Sequence, residues 1–173
     1  MKTYICEICG DAYLGDGKPT QCPFCGSDEK YIKDGAEAKP ITNESVEIGE
    51  KSKGNLMKTL RLEINAVETY QCMAGKADTY EIKAMYKRLA KVELEHATIV
   101  TKLLKIEKPE TADKTCADDD RENFEATVKL EDNATKLYAG FMDQAEEEIV
   151  KKFFEALTKV ESEHLELVKQ LIG

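Results

Sequence analysis

The only two histidines of this 173-residue chain lie in matched stretches, Glu93-Leu94-Glu95-His96 and Glu161-Ser162-Glu163-His164. Upstream of each stretch stands a second matched pair, Glu63 with Tyr70 and Glu131 with Tyr138, and all the correspondences share one offset of 68. Laying 53–105 on 121–173 without a gap makes 17 of 53 positions identical, so this part of the chain is a duplicated unit. Its apolar residues recur at helical spacing: Leu56, Leu60, Val67 and Tyr70 share a stripe with Glu63, and Leu89, Val92, Ile99 and Leu103 with His96. The pattern predicts four helices, over about 53–75, 78–106, 121–144 and 147–172, with Asp78 as the N-cap of the second.

Residues three apart on a helix share a face about one turn along. Glu93 and His96 can therefore bind one metal ion, and Glu161 and His164 another. Glu63 and Glu131 complete the set from the partner helices. A pseudo-twofold axis makes Glu93 and Glu161 the bridges and Glu63 and Glu131 the terminal carboxylates, as in dinuclear carboxylate bundles. Four inward carboxylates without cations would repel one another and lose hydration. Hard oxygens with two imidazoles favour iron or manganese and leave coordination positions open. Glu95 and Glu163 also match across the repeat but point off the shared face, which predicts surface positions. Tyr70 and Tyr138 follow their glutamates by two turns; they are either pocket residues that donate hydrogen bonds or supply electrons, or plain core tyrosines.

The amino-terminal segment carries a second metal signature. Cys6-Glu7-Ile8-Cys9-Gly10 and Cys22-Pro23-Phe24-Cys25-Gly26 are two CxxCG turns separated by twelve residues. Each turn aims both thiolates at one ion, and the trailing glycine relieves the tight backbone. Cys6, Cys9, Cys22 and Cys25 thus form an all-thiolate site for iron or zinc, a choice that the spacing leaves open. Residues 1–34 are too few to fold without such a staple. The expected division is a four-cysteine domain at 1–34, a linker at 35–52 and a helical domain at 53–173. Cys72 reads as a small core residue, and Cys116, in a polar loop, carries no assigned role. A net charge of −9 offers no basic stripe for nucleic acid. No apolar run is long enough to span a bilayer, and no signal peptide is evident, which predicts a cytoplasmic protein.

The order Glu, ExxH, Glu, ExxH over 53–173 resembles the ferritin-like di-iron carboxylate superfamily. Asn55-Leu56, eight residues before Glu63, and the CxxCG…CPxCG module are similar to rubrerythrins, with the two domains in reversed order. The resemblance implies a mainly α protein, a ferritin-like four-helix bundle preceded by a small β/loop rubredoxin-like knuckle domain. It implies a di-iron centre held by Glu63, Glu93, His96, Glu131, Glu161 and His164, and one redox-active iron on the four cysteines, with zinc as the substitute. The implied activity is reduction of hydrogen peroxide to water in oxidative-stress defence, with Tyr70 and Tyr138 at the site. Electrons would come from a rubredoxin or an NAD(P)H-dependent reductase. Dioxygen reduction, ferrous oxidation, or a zinc-ribbon protein that stores or senses iron are the alternatives. Rubrerythrins proper carry an extra carboxylate about one turn after the third-helix ligand; here Asp132, Asn133, Ala134 and Thr135 follow Glu131, and the pattern is not met. The resemblance also implies parallel second and third helices joined by a nearly taut crossover; a homodimer is expected, with hairpin exchange between its subunits left open and the thiolate-bound iron of one chain near the di-iron site of the other.

Overall fold

The computed structural model describes residues 1–172. The chain begins with a three-stranded antiparallel sheet of β1 (Lys2–Cys6), β2 (Ala12–Gly15) and β3 (Ile32–Asp34), in the order β2-β1-β3. The two cysteine turns flank this sheet, and the four cysteine side chains lie buried at its end. Gly10 and Gly26 have φ of +86° and +77°, a left-handed backbone that glycine adopts without steric cost. The segment before the bundle is not a free tether. Ile41 and Ile48 are buried in the common core, and the Ile41 amide donates to the Glu7 carbonyl at 2.8 Å.

Four helices follow: α1 (Glu50–Lys76), α2 (Tyr80–Leu104), α3 (Asp120–Gln144) and α4 (Glu148–Ile172). α1 starts three residues before the predicted Lys53, because Gly49 takes an extended conformation and its amide donates to the Glu147 carboxylate at 2.6 Å. The second N-cap is Thr79, whose hydroxyl accepts from the Ile82 amide. The predicted cap Asp78 instead donates its own amide to Asp120. α2 stops at Lys105, which adopts a left-handed conformation (φ 54°) and turns the chain into the crossover. α1 packs along α2, α3 along α4, and α1 against α3, so one chain forms the whole ferritin-like bundle. No described helix is long and apolar enough to cross a membrane.

The structure corrects three expectations. Both hairpins of one chain pack together, so hairpin exchange is not required to build the bundle. The crossover spans the distance by running along α1, where Ala112 donates to Glu68 and Lys76 pairs with Asp118. Cys72 and Cys116 are neither a core residue nor a residue without a role. They form a disulfide that ties α1 to the crossover. Sequence spacing hid this bridge because the contact arises only once the crossover returns along α1. Glu95 and Glu163 are half-buried rather than surface residues. The N-terminal module lies beside them, and Gln21 donates to Glu163.

Candidate metal centres

Helical periodicity turns Glu63, Glu93, Glu131 and Glu161 inward, each with 1–2 % exposure, together with His96 and His164. His96 Nδ1 lies 2.9 Å from Glu93 Oε2, 3.3 Å from Glu161 Oε1 and 3.6 Å from Glu63 Oε2. His164 Nδ1 lies 3.1 Å from Glu93 Oε1, 3.3 Å from Glu161 Oε2 and 3.8 Å from Glu131 Oε1. Glu93 and Glu161 thus each present one oxygen to either histidine, the disposition of two bridges. Glu63 faces the His96 side and Glu131 the His164 side. Donor atoms of Glu63, Glu93, His96 and Glu161 form one compact group, and those of Glu93, Glu131, Glu161 and His164 another.

The tyrosines tie the two halves together. Tyr70 on α1 donates its hydroxyl to Glu131 on α3, and Tyr138 on α3 donates to Glu63 on α1. Each phenol therefore orients the glutamate of the other repeat, a pairing that the linear sequence does not reveal.

The donor set fits two metal ions. Both Nδ1 atoms, both Glu93 oxygens and Glu161 Oε1 are buried without a hydrogen-bond partner, and all face the same space. Buried polar atoms normally have partners, so a cluster of orphans marks a place for cations. Burial and the Glu161 charge push Glu63 up to about 8, against the pull of His96. Burial and the charges of Glu161 and Glu93 hold Glu131 well above the ordinary carboxylate range. Burial disfavours charge on His96 also, but the nearby carboxylates of Glu161, Glu63 and Glu93 outweigh it and hold the imidazole above its usual value. Four glutamates and two neutral imidazoles carry a formal charge of −4, which two divalent ions cancel.

The four cysteines form the second centre. Cys6 and Cys25 sulfurs are 3.8 Å apart, and Cys9 and Cys22 sulfurs 3.7 Å. Hydrogen bonding among the four pulls Cys6 and Cys22 below the ordinary thiol range and pushes Cys9 and Cys25 above it. Four buried thiols that close cannot all ionise without a cation between them. The Ile8 and Asp11 amides donate to Cys6 and Cys9 sulfurs, bonds that stabilise thiolates around a metal ion.

The two centres adjoin within one chain. His96 Nε2 lies 2.9 Å from the Cys25 carbonyl, so the ring donates there and turns Nδ1 toward the carboxylates. Gly26 rests on Val160 and Val92, flanking the ligand pairs of α4 and α2. Arg88 donates to the Phe24 carbonyl and Lys102 to that of Cys9. The four-cysteine group thus lies beside the carboxylate–histidine cluster within one chain, whereas the expectation brought the two together across a dimer. On the opposite side, between α1 and α3, a cavity of about 30 Å³ reaches Glu63, Glu93, Glu131 and Glu161. Leu62, Ala66, Leu130 and Ala134 form its apolar walls. Asp132 points away and pairs with Lys136.

A family model described as rubrerythrin matches residues 54–172. Among known relatives, Reverse rubrerythrin-1 of Clostridium acetobutylicum is 31% identical over 113 residues, covering 60% of this chain and 62% of that protein. The chain therefore aligns with less than two thirds of that relative's length. Among solved structures, a Rhodobacter capsulatus bacterioferritin with a metal-free dinuclear site and haem iron superposes with a TM-score of 0.61. It is 22% identical and covers 73% of this chain and 86% of that one; at that identity the likeness shows the fold alone.

Proposed function

The chain belongs to the rubrerythrin family, and from that premise we propose that it reduces hydrogen peroxide to water at a di-iron centre. Its electrons are relayed through iron on Cys6, Cys9, Cys22 and Cys25. The observation that carries this reading is the His96–Cys25 hydrogen bond, which joins a thiolate site to a ligand of the dinuclear site in one step. Purely structural zinc would have no use for such a link. Iron held by Glu63, Glu93, His96, Glu131, Glu161 and His164 supplies the Lewis acidity and electrons for O–O cleavage.

The protein's own groups do the rest. Tyr70 and Tyr138 fix the terminal glutamates, and both phenols stay protonated because burial and the adjacent carboxylates raise them well above their ordinary value. The Cys25 carbonyl fixes the His96 ring. Leu62, Ala66, Leu130 and Ala134 keep bulk water out. About 30 Å³ holds one or two water-sized molecules, which suits hydrogen peroxide or dioxygen. An open groove with Lys114 and Lys129 on its walls shares Leu130 and Asn133 with the cavity and gives the substrate a route from solvent. Substrate thus approaches from the α1/α3 side and electrons from the opposite side. The external donor is a rubredoxin or an NAD(P)H-dependent reductase, and a homodimer is the expected assembly.

A second reading has its own support. The dinuclear set is symmetric, and Ala134 lines the cavity one turn after Glu131, where no further carboxylate stands. Such a centre suits dioxygen reduction on the same residues. Stopped-flow spectroscopy of fully reduced, iron-loaded protein separates the two. Peroxide in substoichiometric amount is expected to raise the ferric-thiolate bands faster than dioxygen does. Faster growth with dioxygen overturns the peroxidase reading, and no bands after chemical oxidation overturns the electron relay.

A further inference from the structure

At one position beside the tyrosines of the dinuclear site, Tyr86 against Phe154, the duplicated halves differ by one oxygen atom. On one side the Tyr70 ring, whose hydroxyl is bound to Glu131, stacks on Tyr86 with centroids 5.8 Å apart and planes at 28°. On the other, Tyr138, bound to Glu63, packs 6.0 Å from Phe154. Tyr86 and Phe154 are equivalent positions of the repeat, and both are fully buried. The threonine beside the phenol is duplicated, whereas its other neighbours Phe124 and Met73 correspond to Leu56 and Phe141. The Tyr86 hydroxyl lies 3.3 Å from Thr127 Oγ1, and Thr127 donates to the Asn123 carbonyl at 2.9 Å. Its counterpart Thr59 donates to the Asn55 carbonyl at 3.0 Å. The second half keeps the threonine but has no phenol beside it. Packing alone is served by phenylalanine, as Phe154 shows, and a buried hydroxyl with one long hydrogen bond is a cost rather than a gain to the core.

We propose that Tyr86 is an oxidisable extension of the Tyr70 side of the centre, a phenol that gives up an electron to the site when the external donor is absent. This rests on the peroxidase reading. A phenylalanine ring is too hard to oxidise to serve, so the path exists on the Tyr70 side only. Without an external donor, two hydrogen peroxide molecules together take four electrons and four protons and leave as four waters. The two irons of the glutamate–histidine site would give two electrons and iron(II) on the four thiolates a third, each becoming iron(III). The fourth comes from Tyr86 through the stacked Tyr70 ring. Tyr86 loses its hydroxyl proton and becomes a neutral phenoxyl radical, and solvent supplies the other three protons. Oxidising equivalents are thereby drawn away from the glutamate and histidine ligands.

The test is freeze-quench EPR of iron-loaded protein given excess hydrogen peroxide with no external donor, with ferric-thiolate absorbance followed in the same samples. Wild type is expected to show a phenoxyl radical that is lost in Tyr86→Phe. The double variant Tyr86→Phe/Phe154→Tyr is expected to restore it, because Thr59 offers the new hydroxyl the same partner. An equal radical in wild type and Tyr86→Phe overturns the proposal. So does a loss that the double variant fails to restore, which assigns the effect to repacking. Ferric-thiolate bands without a radical in any variant overturn the proposal and leave the peroxidase reading standing. Absence of the bands in wild type overturns that reading first, and the proposal with it.

Discussion

Replacing Gly26 with alanine perturbs the seam between the two centres at one carbon atom. Gly26 sits at φ +77°, and a Cβ there would lie 3.0 Å from Val160 Cγ1, 3.5 Å from Val160 Cγ2 and 3.8 Å from Val92 Cγ1. A left-handed backbone costs a residue with a Cβ about 1–2 kcal/mol. Forcing a methyl into a packed contact adds about 1–3 kcal/mol, for a total of about 2–5 kcal/mol. The two parts separate in a cycle with Val160→Ala. That variant alone loses two buried methyl groups, about 1.5–2.5 kcal/mol with its cavity, but it removes the two nearest of the three atoms that the new Cβ meets and leaves only Val92 Cγ1 at an ordinary 3.8 Å. The steric part of the Gly26→Ala cost then disappears and the backbone part stays, so the cycle shows a favourable coupling of about 1–3 kcal/mol. Denaturant unfolding followed by ferric-thiolate colour and by helical dichroism measures it. The Gly26→Ala single variant also shifts the Cys25 carbonyl off His96, and the rise of ferric-thiolate colour after peroxide slows. Additivity within about 0.5 kcal/mol would show that the cysteine turn does not rest on α4, and the account of the seam would be wrong.

Metal-free protein loses stability as pH rises. Glu63, pushed up to about 8 from 4.5, binds a proton when folded that it releases when unfolded, so its contribution fades from about pH 4.5 through about 8. The raised imidazoles act in the same direction above their unfolded value of 6.5. The melting temperature of apo-protein is expected to fall between about pH 6 and 8 while that of iron-loaded protein does not; a flat apo profile would count against the buried cluster. Tyr70→Phe and Tyr138→Phe each remove a donor to a terminal glutamate and are expected to weaken iron retention by about 10–100-fold. Chelator competition measures this, and unchanged retention would show that the phenols do not position the ligands. Cys116→Ser opens a bridge between residues 44 apart in sequence and is expected to cost at most about 4 kcal/mol in denaturant unfolding. Wild type in reductant should match it, and a larger loss on reduction would point to a further disulfide.

The bundle and its inward acids were legible because duplication and helical period act together. Glu93 and Glu161 carry their histidines one turn along, on the face already marked by Val92 and Val160. The glycine after each second cysteine was legible for a local reason, since a CxxC turn needs a left-handed residue there. What stayed hidden depends on contacts between segments distant in sequence. Nothing in the spacing pairs Tyr70 with Glu131 rather than with its own helix's Glu63; that follows from how α1 and α3 face each other. The crossover's path along α1 brings Cys116 to Cys72, and a polar loop gives no sign of its path. The seat of the cysteine module rests on Gly26 meeting Val160, 134 positions later, a contact of shape rather than of pattern. Glu95 read as exposed from its angle on the helix alone, but the module covers that flank.

The claim on which the rest depends is that electrons pass from the four-cysteine site to the dinuclear site of the same chain, by way of Cys25 and His96. The direct measurement is the rate of ferric-thiolate formation after mixing reduced, iron-loaded protein with saturating peroxide, repeated over a dilution series that reaches well below any dimer dissociation constant. An intrachain path predicts a single first-order rate constant that does not change with protein concentration. A rate that falls on dilution would place the working contact between chains and contradict the path through Cys25 and His96 of one molecule.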